Sequence, residues 1–288
     1  LHPPRRFGIA GLYLSLARYA RFSPRSSSSR IENSQMMAIS LRECSSLADL
    51  SNLRDQYLDS CPEGQELYLE MKVHDSRAFV IEAEDTKAGY FLIGLDGVLL
   101  EYFVIPAYIH NAGAWFCEIL QRCRIQKALC KSFDHTLLAC CLDHQVSVQV
   151  GGILCREWMD RPHRKIESSL AIRIARPEDV AHIIAINEEV FDHPDQIRDY
   201  VQNERVLLFE KKSLLIGFGL YSRVIPGRPE FDIGMLVVPE FRRSGYGSTI
   251  IRYMADFCRK QGWRPICGCD AANIGSLRCL QNAGFIAR

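Results

Sequence analysis

The stretch from Asp232 to Gly247 constrains the fold of this chain more than any other. It begins with an apolar run of strand character, and Pro239 ends that run. Two arginines and two glycines follow in a turn, and apolar residues then recur at helical spacing from Ser248 to Cys258. The stretch therefore predicts a strand, a glycine-bearing turn and a helix, in that order.

The turn has the properties of a phosphate-binding loop. The first turn of a helix has unpaired N–H groups, and the helix dipole adds roughly half a positive charge there. Gly245 and Gly247 lack a Cβ, so the backbone can approach an anion closely, and Arg242 and Arg243 add positive charge. The spacing is neither a dinucleotide fingerprint nor a Walker loop. Taken alone, the stretch also fits a tight turn before a surface helix.

A second pattern near the end of the chain reads Asn-x-x-Ser-x-x-x-Leu-x-x-x-Gly-Phe over residues 273–285. It predicts a helix that is closed by Gly284. Together with Arg-x-x-Gly-x-Gly at residues 242–247, it resembles the paired motifs of the GNAT N-acetyltransferase superfamily. The elements predicted from residue 170 onward, β-α-α-β-β-β-α-β-α, also stand in the GNAT order.

The resemblance implies acetyl-CoA as the acetyl donor and no metal. In the family, the strand before the loop separates from its neighbour, and its free backbone groups pair with the pantetheine arm and polarise the thioester carbonyl. The loop amides hold the pyrophosphate, and the later helix lines the thiol end. The implied cofactor-binding residues are Leu236, Val237, Val238, Arg242, Arg243, Ser244, Gly245, Tyr246, Gly247, Ser248, Asn273 and Ser276.

The resemblance also indicates candidates for the chemistry. The general base of the family is often an acid on the strand before the loop, and Asp232 occupies that place, two residues after Glu230. A carboxylate in an apolar cleft can have a raised pKa and accept a proton from an ammonium group. Asp232 as a solvent-facing strand residue stays open. The usual general-acid tyrosine is replaced by Leu280, and Tyr221, water or bulk solvent could take its place.

The first half of the chain resembles the second. Residues 104–106 match residues 237–239, and Asp134 stands at the same offsets from residues 141 and 146 as Asn273 does from residues 280 and 285. We therefore predict an α/β (mixed α+β) protein with two tandem GNAT-like lobes. Each lobe should have a central mixed, mainly antiparallel twisted sheet flanked by helices. The first lobe lacks the arginines of the loop, so we interpret it as degenerate.

The predicted domains are a leader at 1–37, the degenerate lobe at 38–157, a polar linker at 158–169 and the acetyltransferase domain at 170–288. The leader is rich in arginine and serine and has no acid before Glu32, and we interpret it as disordered or spuriously included. An organelle transit peptide is the alternative. The chain ends soon after Gly284-Phe285, so the last edge of the second sheet should be missing or supplied elsewhere.

Net charge and cysteine spacing limit the classes of binding partner that we expect. A net charge of +1 over 288 residues gives no sign of a nucleic-acid or membrane-surface binder, and the twelve cysteines form no Cys-x-x-Cys pair. We expect a cytoplasmic N-acetyltransferase that acts on a primary amine of a small molecule or protein, with no nucleic-acid or membrane partner; a homodimer stays open. The alternative is an acetyl-CoA-binding regulatory or sensor module with little catalysis, and a nucleotide-phosphate site at the loop is a third reading.

Overall fold

The computed structural model describes residues 18–21, 37–144, 147–160, 170–187 and 190–287. It divides into two compact units. The first lobe comprises the described residues up to Gly64 and those from Leu69 to Gly151, and the second lobe comprises Gln65–Tyr68 and the described residues from Gly152 onward.

The first lobe is built on a seven-stranded sheet in the order β2-β3-β4-β5-β6-β1-β7. Only the β5–β6 pair is parallel. Its strands are β1 (Arg18–Arg21), β2 (Ser40–Glu43), β3 (Arg77–Ala83), β4 (Thr86–Ile93), β5 (Val98–Val104), β6 (Lys127–Cys130) and β7 (Ser147–Val150). Its helices are α1 (Ser51–Ser60), α2 (Leu67–His74), which begins in the second lobe, α3 (Ala112–Arg122) and α4 (His135–His144).

The second lobe repeats this plan in the order β9-β10-β11-β12-β13-β8-β14. Only the β12–β13 pair is parallel. Its strands are β8 (Gly152–Trp158), β9 (Leu170–Ile174), β10 (Val206–Lys211), β11 (Leu214–Arg223), β12 (Glu230–Val237), β13 (Arg264–Asp270) and β14 (Phe285–Ala287). Its helices are α5 (Val180–Ile186), α6 (Pro194–Gln202), α7 (Tyr246–Lys260) and α8 (Ile274–Asn282).

The two strand orders confirm the predicted fold class, two tandem lobes with mixed, mainly antiparallel sheets. In each lobe the strand that comes first in the chain lies between the sixth strand and the last one. The internal repeat therefore extends to an inserted strand that the sequence pattern did not indicate.

Two strands fall where the sequence analysis did not expect them. Arg18–Arg21 lies inside the predicted disordered or spurious leader, yet it pairs with both β6 and β7; for these four residues the prediction is wrong. The rest of the leader up to residue 36 lies outside the described residues. A strand of four residues is too short to show an apolar period in the sequence.

The second unexpected strand is β8. The sequence predicted one strand from Val146 to Cys155 at the end of the first lobe, but the chain leaves β7 at Val150 and β8 pairs with β13 and β14. By strand pairing, the second sheet thus begins at Gly152. The part of the sheet that was expected to be missing or supplied elsewhere consists of β8, next to β13, and β14, at the edge. The linker falls largely on residues 161–169, outside the described residues, and the domain boundaries stay a prediction.

Two apolar layers cover the second sheet. Successive side chains of β12 alternate between its faces, so Ile233 and Val237 pack under α7, while Leu236 packs on the α5–α6 face. Helix α7 buries Ile250, Ile251 and three further apolar residues, Met254, Ala255 and Cys258, at helical spacing against the first of these faces. The strand that leads into the glycine loop is therefore fixed on both sides.

Candidate functional site

A cleft opens in the second sheet between β12 and β13. The two strands pair only from Glu230 to Asp232, although β12 continues to Val237. Beyond that point β13 pairs with β8 instead. The backbone of β12 after Asp232 is therefore free of strand partners on the side that faces the cleft.

The polar backbone groups of Met235 and Val237 face this cleft. The Val238 N–H donates to the Ile216 carbonyl on β11 at 2.9 Å, and strand alternation turns the groups of the odd-numbered neighbours the other way. The Val237 carbonyl accepts a hydrogen bond from Nε of Arg242 at 3.0 Å. Arg242 thus ties the loop to the end of the strand.

The loop holds its conformation through two left-handed residues. Gly245, at φ 86°, stands at the N-cap of α7, and Arg243 has φ 62°. No side chain caps α7, so its first N–H groups point into the cleft without a side-chain acceptor. A Cβ on Gly247 would lie 2.9 Å from Sγ of Cys279 and 3.3 Å from Cε of Met235. Glycine at this position therefore lets α7 approach α8 and β12 closely.

Strand, loop and helices enclose a cavity of about 820 Å³, a size typical of small-molecule sites. Among the described residues, three arginines and no acidic residue line it, which suits an anionic ligand. Nine of the twelve predicted cofactor-binding residues line this cavity: Leu236, Val237, Arg242, Arg243, Gly245, Gly247, Ser248, Asn273 and Ser276.

The other three predicted residues do not line the cavity. These are Val238, Ser244 and Tyr246. The Tyr246 ring packs edge-on against Phe241, and its hydroxyl accepts a hydrogen bond from Nζ of Lys211 at 3.2 Å. Tyr246 and Ser244 belong to the same turn, so any role for them toward a ligand would be carried by their backbone amides.

The cavity also has lining residues that the sequence analysis missed, several of them on α8. From Asn273 the lining positions continue through Arg278 and Cys279 to Asn282, the spacing of one helix face. This helical spacing from Asn273 could have predicted the lining residues on α8. The missed lining residues are Val190, Met235, Phe241, Ile274, Gly275, Arg278, Cys279 and Asn282.

Asn273 fixes the start of α8. Its Oδ1 accepts a hydrogen bond from the Ser276 N–H at 2.9 Å, as an N-cap does. We expect Asn273→Ala to lower the free energy of unfolding by about 1 kcal/mol, because an unpaired donor is left at the helix end. Chemical denaturation measures this loss. Asn273→Asp keeps the acceptor and is the control; an equal loss in both variants would contradict a capping role.

Asp232 lies where β12 and β13 separate, and its side chain is buried. Burial, with a smaller contribution from the nearby Glu66 carboxylate, raises the pKa of its carboxyl group to about 7 against the opposing effects of Arg156 and the Leu67 N–H. Glu230 is also buried, with Oε1 3.7 Å from Nη1 of Arg264. A carboxyl group that is half-ionised near neutral pH suits proton transfer.

The structure does not bring Tyr221 to the cavity. Its hydroxyl donates to the Glu204 carbonyl at 3.0 Å, and its ring packs against Phe257 and Trp263 on the α7 face. The candidate general acid of the sequence analysis is therefore engaged elsewhere. Leu280 is buried in the core below α7 and does not line the cavity either.

The corresponding corner of the first lobe is closed by a side chain. Asp134 caps α4 through the Leu137 N–H at 3.2 Å, as Asn273 caps α8. The Tyr57 hydroxyl donates to Oδ2 of Asp134 at 2.6 Å, and the Tyr57 ring packs 5.9 Å from that of Phe103 on β5. Phe103 corresponds to Leu236 in the repeat. Tyr57 thus fills, in the first lobe, the corner that the cavity occupies in the second.

Two kinds of feature are absent from the described residues. No group of three or more histidine, cysteine or acidic residues there could hold a metal ion. No helix in the described part of the chain has the length and apolar character needed to cross a membrane.

Comparison with known proteins agrees with this geometry. Residues 46–157 match a family model described as acetyltransferase (GNAT) domain, and residues 172–285 match the acetyltransferase (GNAT) family. No curated protein matches significantly.

Two solved structures share the fold over both lobes. One is an acetyltransferase from the GNAT family of Colwellia psychrerythraea, with a TM-score of 0.77, 18% identity, 86% of this chain covered and 96% of the other. The second is a GCN5-related N-acetyltransferase from Sphaerobacter thermophilus, with a TM-score of 0.58, 14% identity and coverages of 87% and 92%.

Proposed function

The chain belongs to the GNAT acetyltransferase family through both of its lobes, and on that premise we propose that its second lobe binds acetyl-CoA and acetylates an amine. The acceptor is a primary amine of a small molecule or protein. The amine attacks the thioester directly while both substrates are bound. The cytoplasmic location stays a prediction.

The observation that carries this proposal is the charge and shape of the cavity. Arg242, Arg243 and Arg278 line it together with the uncapped start of α7, and no carboxylate from the described part of the chain lines it. Coenzyme A carries a diphosphate and a further phosphate, so a cavity with three guanidinium groups and a helix N-terminus matches its charge. The diphosphate would lie against the amides of residues 243–247.

The free edge of β12 would hold the rest of the donor. The N–H groups of Met235 and Val237 face the cleft, in the direction from which an extended pantetheine arm could pair with them as an added strand. An N–H group aimed at the thioester carbonyl stabilises the negative charge that develops there. This is how the separation of β12 from β13 would contribute to the transfer.

Asp232 would act as the proton acceptor. Its carboxylate takes a proton from the acceptor ammonium group, directly or through water, because only a neutral amine has a lone pair for attack. The nitrogen then forms a bond to the carbonyl carbon, the carbon–sulfur bond breaks, and the second proton of the nitrogen passes through water to the CoA thiolate. The distance along β12 from Asp232 to Leu236 is about 13 Å, at about 3.3 Å per residue, so a water or the acceptor itself must bridge it.

Two measurements test the proposed function. The first follows release of CoA thiol from acetyl-CoA over a panel of primary amines, with mass detection of the acetylated product. The second is a crystal soaked with CoA. We expect product formation, and a diphosphate seated on residues 243–247. No product with any amine, or a diphosphate elsewhere, would contradict the proposal.

A binding module without turnover is the second candidate. It is favoured by Leu280, which stands where the family motif has the tyrosine that protonates the leaving thiolate, and by Tyr221, which is engaged elsewhere. Tight CoA binding without thiol release over the same amine panel would support this reading instead.

We expect one CoA to bind per chain. Tyr57 and Asp134 fill, in the first lobe, the corner that forms the cavity in the second, and their 2.6 Å hydrogen bond would have to break to admit a ligand. Isothermal titration should give a stoichiometry near one, and Tyr57→Phe should leave it unchanged because the ring still fills the corner. A stoichiometry near two would show that the first lobe also binds.

A further inference from the structure

The second lobe contains a short segment from the first half of the chain, Gln65–Tyr68. Leu67 is buried in the apolar layer on the α5–α6 face of the second sheet, with Ile183 and Leu236. The sequence analysis placed these residues in the first lobe, at 38–157, since local spacing does not reveal which sheet a side chain covers. The segment lies on the face of β12 that carries the side chain of Asp232.

This segment supplies two groups to Asp232. The Leu67 N–H donates a hydrogen bond to the Asp232 carboxylate, and the Glu66 carboxylate lies close enough to interact with it electrostatically. Glu66 is 1% exposed and Asp232 is 6% exposed, so water screens their repulsion little.

Two further titratable or charged groups face Asp232. Arg156, on β8, is 2% exposed, and its Nη1 donates to the carbonyls of Cys155 at 3.3 Å and Cys267 at 3.2 Å. The thiol of Cys267, on β13, is buried and has a pKa well above its usual value, so it is neutral. The site therefore holds two carboxyl groups and one guanidinium ion from three separate parts of the lobe.

This cluster has a definite chemical consequence. Arg156 and the Leu67 N–H favour the ionised form of Asp232, whereas Glu66 disfavours it. Burial is the largest cause of the raised pKa of Asp232, and Arg156 is the largest opposing influence. The negative charge of Glu66 adds to the effect of burial and so favours proton uptake by Asp232.

We propose that Glu66 is a positioning residue for acetyl transfer: it acts through Asp232, and keeps that carboxylate basic enough to take the proton of the acceptor ammonium group. This inference rests on the proposed function and deepens it. It assigns part of the acid–base site of the second lobe to a residue that lies 86 positions (152 − 66) before the first strand of that lobe, β8.

The test is the pH dependence of kcat/KM in Glu66→Gln. Removing the negative charge of Glu66 should shift the acidic limb of the profile to lower pH by roughly one pH unit. For a limb that starts near pH 7, the ratio of the rate at pH 6 to the rate at pH 8 should rise about fivefold. Glu66→Asp keeps the charge, so its acidic limb should stay at the wild-type pH. Glu178→Gln removes an exposed carboxylate just before α5 and should not shift the limb either.

A merely structural role predicts a different pattern. Glu66→Gln and Glu66→Asp would then both lower the rate or the melting temperature, and the limb would stay where it is in the wild type. That result, or an upward shift in Glu66→Gln, overturns the inference.

A titration without catalysis separates this inference from the proposed function. The ¹³C signal of the Asp232 carboxyl group, assigned through Asp232→Asn, should titrate near pH 7 in the wild type and about one unit lower in Glu66→Gln. If no amine is acetylated but this shift is seen, the coupling holds and the proposed function fails. If acetylation occurs and the shift is absent, the coupling fails alone.

Discussion

Asp232→Asn should lower kcat for acetyl transfer roughly 10²- to 10⁴-fold, the range that a general base contributes. The change removes the proton acceptor and keeps the shape of the side chain. Asp232 does not line the cavity, so the dissociation constant for CoA should stay within about twofold of the wild type. Steady-state kinetics over pH 5–9, together with CoA titration, measures both quantities.

The pH profile is part of the same expectation. The wild-type rate should rise through pH 7, since burial raises the pKa of Asp232 to about 7 and only the ionised form accepts a proton. The residual rate of Asp232→Asn should lack that limb. A variant that keeps the limb, or that loses only CoA affinity, would show that another group takes the proton.

Stability gives an independent measure of the same carboxyl group. An acid whose pKa is raised by folding holds its proton more tightly in the folded state, so its contribution to stability is present at low pH. This contribution is lost as the pH rises from 3.8 toward 7. Asp232→Asn has no carboxyl group and so does not lose this contribution. The difference in unfolding free energy between the variant and the wild type should therefore change by on the order of a few kcal/mol from pH 4 to pH 8, in favour of the variant. Chemical denaturation at the two pH values measures this change.

Gly247→Val should weaken CoA binding by at least roughly a hundredfold, which corresponds to about 2.7 kcal/mol. The first atom of the new side chain would already lie 2.9 Å from Sγ of Cys279 and 3.3 Å from Cε of Met235. Both residues line the cavity, so α7 or its neighbours must move at the point where the loop amides converge. Calorimetric titration with CoA measures the loss.

The first lobe offers a matched control. Gly113 stands in the segment that replaces the arginine-glycine loop, and a Cβ there would meet nothing within 4 Å. Gly113→Val should therefore leave CoA affinity unchanged. An equal loss in both variants would mean that the effect is not local to the cavity.

A smaller substitution covers the case in which Gly247→Val does not fold. Gly247→Ala introduces only the crowded Cβ, and its nearest neighbour is the thiol of Cys279. Cys279→Ala should restore most of the affinity lost in Gly247→Ala, giving a positive coupling in a double-mutant cycle. Additive losses would contradict crowding as the cause.

Much of the candidate site was predictable because its determinants are local in sequence. The loop from Arg242 to Gly247 needs left-handed backbone and a helix start within six residues, and glycines mark both. The helix that Asn273 caps is equally local, and its cavity-lining face follows from helical spacing. For Asp232, the sequence indicated that the pKa could be raised but not whether the side chain is buried, since its burial depends on residues distant in the chain.

What could not be predicted depends on long-range pairing. Strand pairing carries no local signal of which sheet a strand joins, so β1 went unrecognised and β8 was given to the wrong sheet. Glu66 and Arg156 were missed for the same reason. Tyr221 was chosen for its residue type, whereas its position on β11 turns it toward α7.

The order in which the second sheet is completed bears on how such a protein could arise by duplication and be made by the ribosome. Its last strand, β14, pairs in the described sheet with β8 alone, and β8 is the first of the lobe's seven strands to be synthesised. The unit that carries the second sheet therefore includes β8 as well as β9 to β14. A copy that began at the first residue of β9 would carry both signature motifs, but β14 would lack the strand with which it pairs.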